Sequence, residues 1–208
     1  MTVNTGNETI WNDLFDRYPS LRVCEGELRA AYGLLYDCYA AGGKLQVCGN
    51  GGSAADCEHI VGELMKGFHK KRELPAESPV PADIAAGLQG ALPAISLVSQ
   101  SGLCTAFIND CAPDLVFAQQ VYGYCKPGDV LLGLSTSGNS ANVAAAARTA
   151  RALGGKTLAV TGESGGRLAL LCDVCVRLPS CDTASIQELT LPVYHTLCAL
   201  LEDAFFAS

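Results

Sequence analysis

Three groups of residues have types and spacing that could do chemistry. The first is Gly49-Asn50-Gly51-Gly52-Ser53, where glycines let the backbone come close to a ligand and Asn50 and Ser53 add short polar arms. The second is Ser135-Thr136-Ser137-Gly138-Asn139-Ser140, hydroxyl and amide side chains around one glycine, able to surround a phosphate without excess positive charge. The third is titratable. His59 and Glu63 stand four apart on the segment leaving the first loop, and Gln187, Glu188 and His195 lie near the end of the chain.

Each group has a plainer reading. A lone loop rich in Ser, Thr, Asn and Gly is a turn with a helix N-cap. Two of them at strand-to-helix junctions in one small chain point instead to an anion, because unpaired amides and the positive helix end meet there. A His/Glu pair at i,i+4 is commonly a surface hydrogen bond, but this pair faces whatever the adjacent loop holds. His195 sits among Leu189, Leu191, Val193 and Leu197, where a histidine is ordinarily a satisfied core residue. Eight helical residues separate Gln187 from His195 by roughly 12 Å along the axis and roughly 80° in direction. They meet one small ion or substrate only by leaning together, or across a subunit boundary. His69 opens a basic stretch and reads as solvated. Neither loop has the G-x-G-x-x-G or Gly-Lys-Ser/Thr spacing of the common nucleotide sites.

The elements that must hold these groups alternate. Residues 8–41 read as two helices with a break at Tyr18-Pro19-Ser20. Strands are expected at 44–48, 94–98, 129–134, 156–161 and 173–178, and helices at 54–66, 101–108, 113–124, 139–153, 165–171 and 183–205. Residues 67–92, basic and then Pro-rich, read as a lid or loop insertion with a short helix at 83–88. Alternation of this kind gives an α/β fold, a parallel sheet covered on both faces.

Composition narrows the classes. With 208 residues the chain can bury a sizeable core, and one domain over 1–208 is expected. A formal charge of −7 argues against nucleic acid or an anionic membrane as partner. The apolar runs fall far short of a membrane span, and Met1–Asn12 lacks a basic start and an apolar segment, so a cytoplasmic location is expected. With 49% apolar and only 17% charged residues, part of the surface is expected to be covered by further subunits. Eleven scattered cysteines, an odd number, argue against a disulfide framework; Cys172-Asp173-Val174-Cys175 is weak evidence for metal and reads as structural.

Taken together, Cys48–Ser53 with His59 and Glu63, Asn109-Asp110, Gly128–Gly133, Ser135–Val143, Thr161-Gly162 and Ile186-Gln187-Glu188 resemble the sugar isomerase (SIS) domain family, and within it the phosphoheptose isomerases. The resemblance covers nearly the whole chain. It implies a doubly wound, five-stranded parallel sheet of flavodoxin-like type and a homotetramer with active sites at subunit interfaces. The implied reaction converts sedoheptulose 7-phosphate to D-glycero-D-manno-heptose 7-phosphate. Substrate contacts would fall on Asn50, Gly51, Gly52, Ser53, Glu63, Asn109, Asp110, Ser135, Thr136, Ser137, Ser140 and Gln187. One zinc ion per subunit would fall on His59, Glu63, Gln187 and His195.

A ketose-aldose interconversion through an enediol needs one group to take a proton from carbon and another to manage the oxygen's proton. Glu63 is assigned as the base and His195 as its acid/base partner. The pattern departs from the family at Ser185 and Gly67, where arginine is usual, and at Thr190, where histidine is common. Residues 67–92 are longer than usual, and Lys66, Lys70, Lys71 and Arg72 are candidates to replace the lost positive charge. Rival readings are an isomerase of another sugar phosphate, a sugar-phosphate sensor, and a non-catalytic relative of the kind that binds the bacterial replication initiator. The last would be expected to lack Glu63 and His195.

Overall fold

The computed structural model describes residues 6–206. Residues 1–5, which carry part of the leader reading made on Met1–Asn12, and residues 207–208 lie outside the described residues. Five strands, β1 (Leu45–Gly49), β2 (Ala94–Ser96), β3 (Val130–Leu134), β4 (Lys156–Gly162) and β5 (Val174–Leu178), pair in parallel in the order β2-β1-β3-β4-β5. This is the doubly wound, flavodoxin-like order expected. The chain reverses its winding between β1 and β3, and a ligand crevice opens at the carboxyl ends of those two strands. Both Gly-rich loops leave from that point.

The helices are α1 (Glu8–Arg17), α2 (Glu25–Ala40), α3 (Gly52–Met65), α4 (Ala82–Ala85), α5 (Ser101–Asp110), α6 (Val116–Tyr124), α7 (Ala141–Ala152), α8 (Leu168–Leu171) and α9 (Thr183–Phe205). Because parallel strands are covered on both faces, β1 and β3 are buried throughout, and apart from Gln46 they read as apolar runs. Their side chains still alternate. Leu45, Val47, Val130, Leu132, Leu158 and Val160 meet α1, α2, α3 and α9 in one core. Cys48, Leu131 and Ala159 meet α6 and α7 in the other.

Boundaries differ locally from expectation for identifiable reasons. The break near Pro19 is a 3-10 turn, Pro19–Cys24, since proline cannot donate an amide into a continuing helix. The 113–124 segment opens with a 3-10 turn, Pro113–Leu115, that leads into α6. The helix after the first loop starts at Gly52, two residues earlier than expected, and the short helix in the insertion is Ala82–Ala85 rather than 83–88. All eleven cysteines are free. Burial pushes the Cys172 thiol up to about 12, the opposite of what a reactive Cys-x-x-Cys needs. Among the described residues, no helix is long and apolar enough to cross a membrane.

Candidate active site

The two loops at the switch point are fastened to each other. Asn50 and Asn142 exchange amide hydrogen bonds in both directions, at 3.0 and 2.9 Å, so the loop after β1 and the start of α7 form one rim. Ser53 is buried against its own turn, its amide bonded to the Asn50 carbonyl at 3.1 Å. In the second loop, the Ser135 and Ser140 hydroxyls lie 2.9 Å apart, Ser137 Oγ accepts the Asn139 amide, and Gly162 N–H donates to the Thr136 carbonyl. Gly138 has φ +66°, and a Cβ there would lie 2.1 Å from the Gly165 carbonyl oxygen. Only glycine permits both the left-handed turn and that approach.

The titratable groups lie along a seam where α3 and α9 run side by side in the same direction, as three successive contacts show. At the top, the Gln187 amide lies over Gly52, where a Cβ would come within 2.7 Å of Nε2. In the middle, His59 Nε2 lies 3.2 Å from Glu63 Oε1 and 3.5 Å from His195 Nε2. The other nitrogen of His59, Nδ1, is 2.8 Å from the Tyr194 hydroxyl, which donates to Asp56 Oδ1 at 3.3 Å. At the bottom, Glu202 is tied through Arg72 to the carboxyl end of α3. The first two contacts are separated by seven residues on α3 and eight on α9, matching steps of about two turns.

The middle group brings one carboxylate and two imidazoles together. Glu63 exposes 13% of its side chain, enough for a substrate to reach, and His59 exposes 43%. The two oxygens of Glu63 face different partners, Oε1 towards His59 and Oε2 towards Lys66 Nζ at 3.2 Å. Burial and the neighbouring His59 ring hold His195 below the usual histidine value, so its ring is neutral near pH 7 and able to accept a proton.

The remaining site residues are distributed as follows. Gln187 belongs to the top of the seam, beside the first loop, and not to the group around His59 two turns below. Among the described residues, no three His, Cys, Asp or Glu side chains already converge as a metal cradle. Asn109 and Asp110 are exposed at the end of α5, the Asn109 amide donating to Asp110 at 2.7 Å. Helix α5 packs against α6 and the turn before it.

The basic stretch does not gather a replacement charge as expected. Arg72 is fully buried against Glu202, Lys70 pairs with Asp203, Lys71 with Glu73, and only Lys66 reaches the site, at Glu63. Ser185 has its own task, donating its amide and hydroxyl to the Asp182 carboxylate that caps α9. The sequence reading missed Asp56, Tyr194 and Glu202, held Asn142 within the second motif without a role, and took Arg72 for a site charge, whereas it is buried against Glu202. Asp56 stands three residues before His59 and Tyr194 beside His195, and that adjacency was the available signal.

The switch-point loops and the acid/base seam define an α/β domain of the sugar-phosphate-handling class. The SIS domain family model matches residues 22–162. The chain is 40% identical over 189 residues to the phosphoheptose isomerase of Rhodospirillum rubrum, covering 91% of this chain and 92% of that one. It is 42% identical over 173 residues to that of Pelobacter propionicus, covering 83% and 82%. The solved phosphoheptose isomerase of Neisseria gonorrhoeae superposes with a TM-score of 0.74 at 31% identity, over 93% of this chain and 96% of that one. The chain belongs to the SIS domain family and, within it, to the phosphoheptose isomerases.

Proposed function

We propose that the chain isomerises sedoheptulose 7-phosphate to D-glycero-D-manno-heptose 7-phosphate by proton transfer through an enediol. The observation that carries the reading is the Glu63–His59–His195 group, set between two parallel helices below a pair of joined loops suited to phosphate. Glu63 takes a proton from C1 of the ketose and returns it to C2. His195, neutral near pH 7, moves a proton between O1 and O2. Ser135, Thr136, Ser137 and Ser140, with Gly51, Gly52 and Ser53, hold the phosphate end by hydroxyl and backbone donors. Asn50 and Gln187 flank the sugar.

One zinc ion per subunit is part of the same proposal. His59 Nε2 lies 3.2 Å from Glu63 Oε1 and 3.5 Å from His195 Nε2, two separations close to the roughly 3.3 Å edge of a tetrahedron with zinc bonds of about 2.0–2.1 Å. His59, Glu63 and His195 would hold the ion, with Gln187 turning down from Gly52. When bound it would polarise the substrate carbonyl.

The reading extends to a cytoplasmic homotetramer with sites at subunit interfaces. In support, α5 buries none of its residues and leaves Leu103 and Ile108 40% and 47% exposed beside Asn109 and Asp110. A second copy packed there would bring those two polar residues to a substrate.

The test is NMR of the purified protein with sedoheptulose 7-phosphate in D₂O, with and without zinc. Aldose signals with deuterium entering next to the carbonyl support the enediol isomerase. No turnover from folded protein in either condition overturns it, and a screen of other ketose phosphates then separates a different substrate from a non-catalytic binding protein.

A further inference from the structure

The reaction as assigned uses Glu63 and His195, and leaves unexplained why a tyrosine and an aspartate are packed behind His59. Tyr194 is 4% exposed, and its ring packs edge-on to His59 and to His195 at centroid distances of 5.4 and 5.0 Å. Its hydroxyl reaches both Asp56 Oδ1 and His59 Nδ1. A phenol has one proton to donate and lone pairs to accept with. An ionised carboxylate can only accept, and hydrogen bonds to a charged acceptor are roughly twice as strong as neutral ones. The single proton therefore goes to Asp56, and the phenol oxygen must accept from His59. That fixes the proton of a neutral His59 on Nδ1 and leaves Nε2 with its lone pair.

Nε2 is the atom 3.2 Å from Glu63 Oε1 and 3.5 Å from His195 Nε2. A lone pair opposite a carboxylate oxygen is an acceptor facing an acceptor, an arrangement that a cation placed between them relieves. We propose that Asp56 and Tyr194 are positioning residues that set the tautomer of His59, so that Nε2 is left free to join Glu63 and His195 in holding one divalent metal ion. The proposal deepens the isomerase reading and rests on it only for the identity of the reaction; the tautomer is a property of the protein alone. The opposite arrangement, with the phenol donating to Nδ1 and Nε2–H donating to Glu63, would leave the half-buried Asp56 carboxylate without its tyrosine proton.

The test uses the full chain, labelled with ¹⁵N in its three histidines and freed of metal, at about pH 8.5, above the histidine range. Signals are assigned with His69→Gln and His195→Gln. Two-bond ¹H–¹⁵N correlations are expected to show His59 with a pyrrole-type Nδ1 and a pyridine-type Nε2. Tyr194→Phe, which keeps the ring, should release His59 to the mixed tautomers of a free imidazole. Asp56→Asn should return the phenol proton to Nδ1 and move His59 towards the Nε2–H form.

In a chelator competition, Tyr194→Phe should weaken zinc binding by about 10- to 100-fold, the size usual for an outer partner of a ligating histidine. In turnover, kcat should fall while KM stays near the original value. A wild-type His59 protonated on Nε2, or a Tyr194→Phe protein with an unchanged tautomer, overturns the proposal whatever the activity. Absence of turnover in the wild type, with the tautomer as expected, overturns the isomerase reading and leaves this one standing.

Discussion

Removing the Arg72 guanidinium gives a sharp test of how the carboxyl end of α3 is held. Arg72 has a fully buried side chain and adopts φ 42°, a left-handed conformation unusual for a residue with a Cβ. Its Nε donates to Glu202 at 2.7 Å, and its terminal nitrogens donate to the Leu64 and Glu63 carbonyls at 2.7 and 3.0 Å. Those carbonyls are orphans at the end of α3. Glu202 also accepts the amides of Phe68, His69 and Lys70.

Breaking a buried pair typically costs about 3–5 kcal/mol. Arg72→Met should fall at the low end, about 3 kcal/mol, because Glu202 keeps its backbone donors and Leu64 O keeps the Leu92 amide. Glu202→Ala should exceed about 5 kcal/mol, since it strands a buried guanidinium and several amides at once. For a chain of this size the milder change corresponds to roughly 6–12 °C in Tm. Urea unfolding measures both.

The pH dependence has a definite sign. Burial alone would raise the Glu202 carboxyl, but the amides of Phe68 and His69 and the Arg72 guanidinium outweigh it and hold it below the usual glutamate value. Its contribution is therefore complete above about pH 4.3 and lost as pH falls through the folded value. Glu202→Gln should flatten that acid limb. An Arg72→Met protein destabilised by less than about 1 kcal/mol, or a Glu202→Ala protein no worse than it, would refute the clamp.

Glu63→Gln and His195→Ala should each lower kcat by about 10²- to 10⁴-fold while leaving the circular dichroism spectrum unchanged; full activity in both would remove the acid/base assignment. Asn142→Leu cuts the amide pair joining the two loops and should reduce kcat/KM for the phosphorylated substrate about tenfold, since one or two partly exposed hydrogen bonds of roughly 1 kcal/mol are lost. An unchanged KM would show that the rim does not position substrate. Gly138→Ala should destabilise by at least about 2 kcal/mol, combining a left-handed alanine with a Cβ driven into the Gly165 carbonyl, as measured by thermal unfolding.

The strand and helix order was legible because buried parallel strands leave continuous apolar runs and glycines mark the turns that follow them. His59 and Glu63 were legible for a local reason, their i,i+4 spacing after such a turn. Arg72 and Glu202 were not, because 130 residues separate them and a basic run reads as solvated when nothing in the sequence says which member goes inside. Tyr194 was hidden in an apolar stretch, where an aromatic residue signals core and its hydroxyl carries no pattern. The place of Gln187 followed from a subtraction: Gly52 lacks the side chain that would have excluded it.

The seam also sets a length. Gly52, at the two joined loops, and His59, in the group with Glu63 and His195, are seven residues apart on α3, about 10 Å along its axis. A seven-carbon ketose phosphate with bonds of about 1.5 Å extends roughly that far from its reacting end to phosphorus. If the phosphate is fixed at the rim, each carbon removed draws the reacting carbons about 1 Å from Glu63, and displacement of that size can cost about 10²-fold. A five-carbon ketose phosphate should therefore keep a KM of the same order and lose kcat by about 10²-fold or more. Equal kcat for both sugars would mean that substrate lies across the seam and not along it, and that the phosphate is held somewhere other than the two joined loops.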